Sequence, residues 1–88
     1  MRVADTIERK LRAALSPSAL MIIDESHLHQ GHAGHRPGGE SHFRVKLEAA
    51  AFAGQSRVAR QRMVYRVLED ELAGPVHALA LEAKAPGE

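Results

Sequence analysis

The chain has 88 residues, 44% hydrophobic and 26% charged, with a formal net charge of +1. That length holds one domain with one modest core, burying about 60% of the surface the unfolded chain exposes, and the small charge excludes the strongly basic profile of a dedicated nucleic-acid binder. No apolar run approaches bilayer thickness, and the absence of cysteine excludes disulfides, a cysteine nucleophile and any thiolate metal site made by this chain alone.

The opening "MRVADTIERK" becomes charged almost at once, unlike a signal peptide, which predicts a cytoplasmic, reducing location. In "VADTIERKLRAAL", Val3, Ile7, Leu11 and Leu15 recur every four residues and line one helical face. Glu8 and Arg12 form a favourable i,i+4 pair on the wet side. Pro17 disfavours helical geometry at Ser16 and ends the helix. "ALMIID" (19–24) is a short β-branched apolar run that predicts a strand.

A long loop follows, broken by Gly31, Gly34, Pro37, Gly38 and Gly39. "SHFRVKLEA" then alternates strictly. Phe43, Val45 and Leu47 face one way; His42, Arg44, Lys46 and Glu48 face the other. This predicts a half-buried strand, antiparallel to the first if the loop acts as a long hairpin. The loop exceeds what a hairpin needs, and such excess in a small domain often serves function.

Gly54 marks a break with a positive φ, and Ser56 is the expected N-cap of a helix "RVARQRMVYRVLEDELA" over 57–73. Val58, Val64, Val67, Leu68 and Leu72 form its predicted apolar side, and Gly74-Pro75 close it. "VHALALEAK" is a last strand. The predicted order, α-β-β-α-β, is an α+β domain: a three-stranded sheet with helices on one face. One domain spans residues 1–85, with 86–88 a short flexible tail.

Six histidines are the chemically distinctive residues, and His27, His29, His32 and His35 fall in the glycine-rich loop. Neutral imidazoles could hold zinc, nickel or copper there, although the spacing selects none of these and the glycines leave the ligands poorly pre-organised. The alternative is a solvated loop that titrates near neutrality. His77, alone at the start of the last strand, shares a face with Leu79 and Leu81 in the predicted alternation. A hairpin loop and a strand end can meet at one sheet edge and supply two imidazoles to one metal centre. Arg57, Arg60, Arg62 and Arg66 could meet phosphate, but Glu69, Asp70 and Glu71 largely offset them. No serine–histidine–acid or paired-carboxylate pattern supports catalysis, so the chain is read as a non-enzyme.

The stretches "DESHLHQGHAG…ESHFRVKL", "FAGQSRVARQRMVYRVLEDEL" and "PVHALALEAKAP" resemble the BolA family, in order and along nearly the whole chain. One departure is Gln61, where the family commonly has a histidine between the two arginines of its helix motif. The resemblance implies a class II KH-like α+β fold. It also implies a heterodimer with a monothiol glutaredoxin that shares a [2Fe–2S] cluster, with no cofactor in the isolated chain, which is expected to be monomeric. By the same resemblance the ligands from this chain are His77 and a loop histidine, His29 by alignment from Asp24-Glu25-Ser26, with His32 as substitute. A chain without sulfur must then borrow thiolate from glutaredoxin and glutathione. The expected role is iron–sulfur cluster trafficking or iron regulation. The alternative is a DNA-binding regulator using Arg57, Arg60 and Arg62, although "AGQSR" has one glycine where a KH Gly-x-x-Gly loop has two.

Overall fold

A computed structural model of the chain describes residues 2–25 and 42–88. Helix α1 spans Val3–Leu15, and the Arg2 backbone N–H donates to the Asp5 carboxylate at its start. Ile7 and Leu11 are fully buried, with Val3 and Leu15 packed beside them, as the four-residue spacing predicts. The Arg12 Nε donates to Glu8 across the exposed side at 2.9 Å. Ser16 leaves the helix in the left-handed region (φ 45°), where its N–H still reaches the Arg12 carbonyl. Pro17 bars the ordinary helical conformation there.

Strands β1 (Ala19–Asp24), β2 (His42–Glu48) and β3 (Ala78–Lys84) form one sheet in the order β1-β2-β3. β2 is central, antiparallel to β1 and parallel to β3. The side-chain period of two puts Leu20, Ile22, Phe43, Val45, Leu47, Leu79, Leu81 and Ala83 on the face that packs into the core. The opposite face carries Met21, Arg44, Lys46, Glu82 and Lys84, and it is the wetter one.

The parallel pairing needs a crossover, and the segment between β2 and β3 supplies it. A short 3₁₀ turn, Ala50–Phe52, buries Phe52 completely. Gly54 follows at φ 76°, a conformation that costs an L-residue roughly 1–2 kcal/mol. Ser56 caps α2 (Arg57–Val67), its Oγ accepting the Ala59 N–H at 3.0 Å, a contact worth about 1 kcal/mol. The Phe-x-Gly-x-Ser break is therefore an anchor, a turn and a cap in succession.

The single helix predicted over 57–73 is two: α2 and α3 (Glu69–Ala73), separated at Leu68 (φ −102°, ψ 21°). No proline or glycine marks the break. Leu68 is buried there, and Glu71 in α3 meets Lys10 of α1, whose Nζ donates to both carboxylate oxygens at 3.0 and 2.9 Å. That contact holds the Lys10 ammonium above its ordinary pKa. The predicted apolar side is also partly out of phase. Val64 and Leu68 are buried but Val58 is 56% exposed. Counting back one turn from Val64, the inward position belongs to Arg60.

Candidate functional site

One end of the sheet brings His42 and His77 together. β1 leaves it through Asp24 and Glu25, β2 enters it at His42, and β3 begins there, with Ala78 opposite His42 in the parallel register. The Glu25 N–H donates to the His42 carbonyl at 2.8 Å, so the chain enters and leaves the 26–41 segment at neighbouring points. His27, His29, His32 and His35 lie outside the described residues.

His77 is exposed, one residue before β3. It does not share the Leu79/Leu81 face as the alternation predicts, because strand pairing starts only at Ala78. Val76 takes the buried position instead, its N–H held by the Glu71 carbonyl at 2.9 Å. The His77 ring lies 5.2 Å from that of His42, centroid to centroid, with the planes tilted 53°. Alternation puts His42 on the wet face, yet it is only 5% exposed. The structure thus pairs His77 with a histidine that sequence reasoning passes over. A polar residue opening an alternating strand gives no sign that its neighbours will cover it.

The cations of the outer sheet face are matched locally. Arg44 Nε donates to Glu25 at 2.9 Å and its guanidinium reaches Glu82 at 4.0 Å, while Lys46 lies 3.5 Å from Glu82. The Glu25 contact raises the Arg44 pKa further above its ordinary value. Arg44 and Lys46 therefore make no open basic stripe.

The three arginines proposed from sequence as phosphate contacts do not lie on one side of α2. Arg57 and Arg60 line a groove of about 360 Å³ between α2 and β3, whereas Arg62, about 200° around the helix from Arg60, does not. In the same groove Gln61 Nε2 donates to Tyr65 Oη at 2.9 Å, and Tyr65 O–H points to the Leu79 carbonyl at 3.5 Å. The Gln61 amide is thus used in holding a tyrosine.

Arg60 is nearly spent within the molecule. Its side chain is 11% exposed; Nε donates to the Gln55 carbonyl at 2.9 Å and Nη1 to the Ala83 carbonyl at 3.2 Å. Both terminal nitrogens meet the Glu88 carboxylate at 2.6 Å, and that carboxylate also accepts the Ala85 N–H. Residues 86–88, a tail by sequence, are tied back through this contact. The Arg60 hydrogen bonds, followed by the Ala85 N–H, pull the Glu88 pKa from its ordinary 4.5 down to about 2. A depressed folded-state pKa stabilises the fold fully above the unfolded value and loses that contribution as pH falls through the folded one. Glu88→Gln is therefore expected to melt below wild type at pH 6, the difference shrinking below pH 4.5 and closing near pH 2. A difference independent of pH rejects the ion pair.

Fold and site together define a small α+β domain with histidines at one sheet end and an arginine-lined groove along its last strand. The family model for BolA-like protein matches residues 11–88. A Sinorhizobium protein, itself uncharacterised, is 50% identical over 92 residues, with 100% of this chain and 96% of that protein covered. The "DNA-binding transcriptional regulator BolA" of Escherichia coli K12 is 46% identical, over 92% of this chain and 73% of its own length. Human BolA-like protein 1 is 45% identical over 98% of this chain, which spans only 60% of that protein. Among solved structures, the BolA domain of SufE1 from Arabidopsis thaliana superposes with a TM-score of 0.84 at 41% identity, covering 94% of this chain and 91% of that one. The chain belongs to the BolA-like protein family. No helix among the described residues is long and apolar enough to cross a membrane.

Proposed function

We propose that this chain is a non-enzymatic partner of a monothiol glutaredoxin and shares a [2Fe–2S] cluster with it, serving cluster trafficking or iron regulation in a reducing compartment. The observation that carries the reading is His77: an exposed imidazole at a sheet end, beside a second imidazole, in a chain with no thiol. These residues fit half of a mixed ligand set. His77 is one ligand from this chain. The second is His29, or His32 in its place, and the thiolates come from glutaredoxin and glutathione. Substituting nitrogen for sulfur at one iron raises a cluster's reduction potential. Imidazole must be deprotonated to ligate, so cluster holding weakens in acid. The test is anaerobic mixing of the chain with cluster-loaded glutaredoxin, followed by visible circular dichroism and size exclusion. A new dichroic spectrum in a one-to-one complex supports the reading; an unaltered glutaredoxin spectrum overturns it.

A second reading is supported by the name of the Escherichia coli relative: a DNA-binding regulator with Arg57, Arg60 and Arg62 at phosphates. Arg60 is already paired with Glu88, and Arg62 lies on the far side of α2. These two facts rank it below the first. DNA affinity under this reading falls steeply with salt, and a flat salt response removes it.

A further inference from the structure

The Arg60–Glu88 contact shows what chemistry the α2/β3 groove accepts. A planar carboxylate meets both ends of the guanidinium, in the fork geometry that makes arginine–carboxylate pairs strong and oriented. Tyr65, Leu79 and Leu81 line the groove together with Arg57 and Lys84. Arg57 and Lys84 enter no ion pair among the described residues. Arg57 lies one turn before Arg60 on the same side of the helix.

We propose that this groove docks an acidic peptide segment with interspersed apolar side chains, and that Glu88 occupies the Arg60 position until such a segment displaces it. The groove already holds a side-chain carboxylate on Arg60 beside the apolar Leu79 and Leu81, a mixed and mainly polar lining that suits a peptide carrying both kinds of side chain. The placement of the arginines points the same way. Arg62 faces away from Arg57 and Arg60, so the cations form a cluster at one groove rather than a track along the helix. The bound carboxylate of Glu88 acts as an internal competitor, since a site open for only a fraction of the time shows an affinity reduced by that fraction.

The experiment uses the full chain and a short fluorescein-labelled peptide of alternating glutamate and leucine, read by anisotropy at low salt. Glu88→Gln is expected to bind about tenfold tighter than wild type, the gain for a groove closed about nine-tenths of the time. Arg57→Gln added to Glu88→Gln is expected to abolish that gain. Equal affinity of wild type and Glu88→Gln overturns the proposal, as does an Arg57→Gln/Glu88→Gln chain that binds as tightly as Glu88→Gln. So does a gain confined to a single-stranded oligonucleotide. A readout on the unaltered protein is amide exchange at Ala85, whose N–H Glu88 accepts. Saturating peptide is expected to speed that exchange severalfold, and an unchanged rate overturns the displacement.

Discussion

Replacing Phe52 with alanine is expected to lower the free energy of unfolding by about 3–5 kcal/mol, the range for emptying a fully buried aromatic site. Phe52 is completely buried in the cluster that joins Ile7 and Leu11 of α1 to Phe43, Val45 and Leu47 of β2 and Val64 of α2. Besides six histidines the chain has only two phenylalanines and one tyrosine, so few large apolar rings are at hand to refill the space. The backbone there is also committed: the Phe52 N–H donates to the Ala49 carbonyl and its own carbonyl accepts from Gln55, which limits collapse around the hole. Against a total stability of about 4–13 kcal/mol for a domain this size, the variant sits near the edge of folding. Urea unfolding followed by far-ultraviolet circular dichroism checks it. The midpoint falls while the slope stays constant, and a loss below about 1.5 kcal/mol contradicts the packing described.

The second large effect is at His77. His77→Ala is expected to remove the dichroic signal of the mixed complex with cluster-loaded glutaredoxin while leaving the melting temperature of the chain nearly unchanged, because the side chain is exposed. His42→Ala tests a different role. His42 is buried against His77 and restricts where that ring can lie. Losing a residue that orients a ligand costs about 10- to 100-fold in metal affinity, so this variant keeps the spectrum and releases the cluster sooner. Under the proposed ligand set, one of His29→Ala and His32→Ala is expected to lose the spectrum as His77→Ala does, and two unaltered spectra reject both as the second ligand. A His77→Ala complex with the wild-type spectrum overturns ligation through that residue.

Much of this architecture can be read from spacing alone. The alternation from Phe43 to Leu47, the four-residue recurrence in α1, the Ser56 cap and the left-handed Gly54 all follow from local rules, and the structure has them as expected. What escapes is set by tertiary contacts. The break at Leu68 carries no helix-breaking residue, and it accompanies the burial of Leu68 and the Lys10–Glu71 contact between helices far apart in sequence. Arg60 takes a core-facing position that hydrophobic patterning assigns to an apolar residue. A long aliphatic stem can lie against the core when its charged head finds partners, and here these are Glu88 and two carbonyls. The sheet-end site is half visible by the same logic. His77 stands out by its family-like motif, but its meeting with His42, 35 positions away in the chain, is set by the parallel register of β2 and β3 and by no local pattern.

The mixed sheet is closed by two connections of unequal length. Asp24 and Phe43, at the open end of the antiparallel pair, are 19 positions apart, while His42 and Ala78 across the parallel pair are 36 apart. Loop-closure entropy costs about 0.6 kcal/mol more for each doubling of length, and the longer closure must also wait for two helices to cross the sheet. β3 is therefore expected to dock after the β1–β2 pair, which pulse-labelled amide exchange during refolding checks. The His42–His77 pairing at its start and the groove along its flank both need β3 in place, so a molecule with β3 undocked has neither to offer.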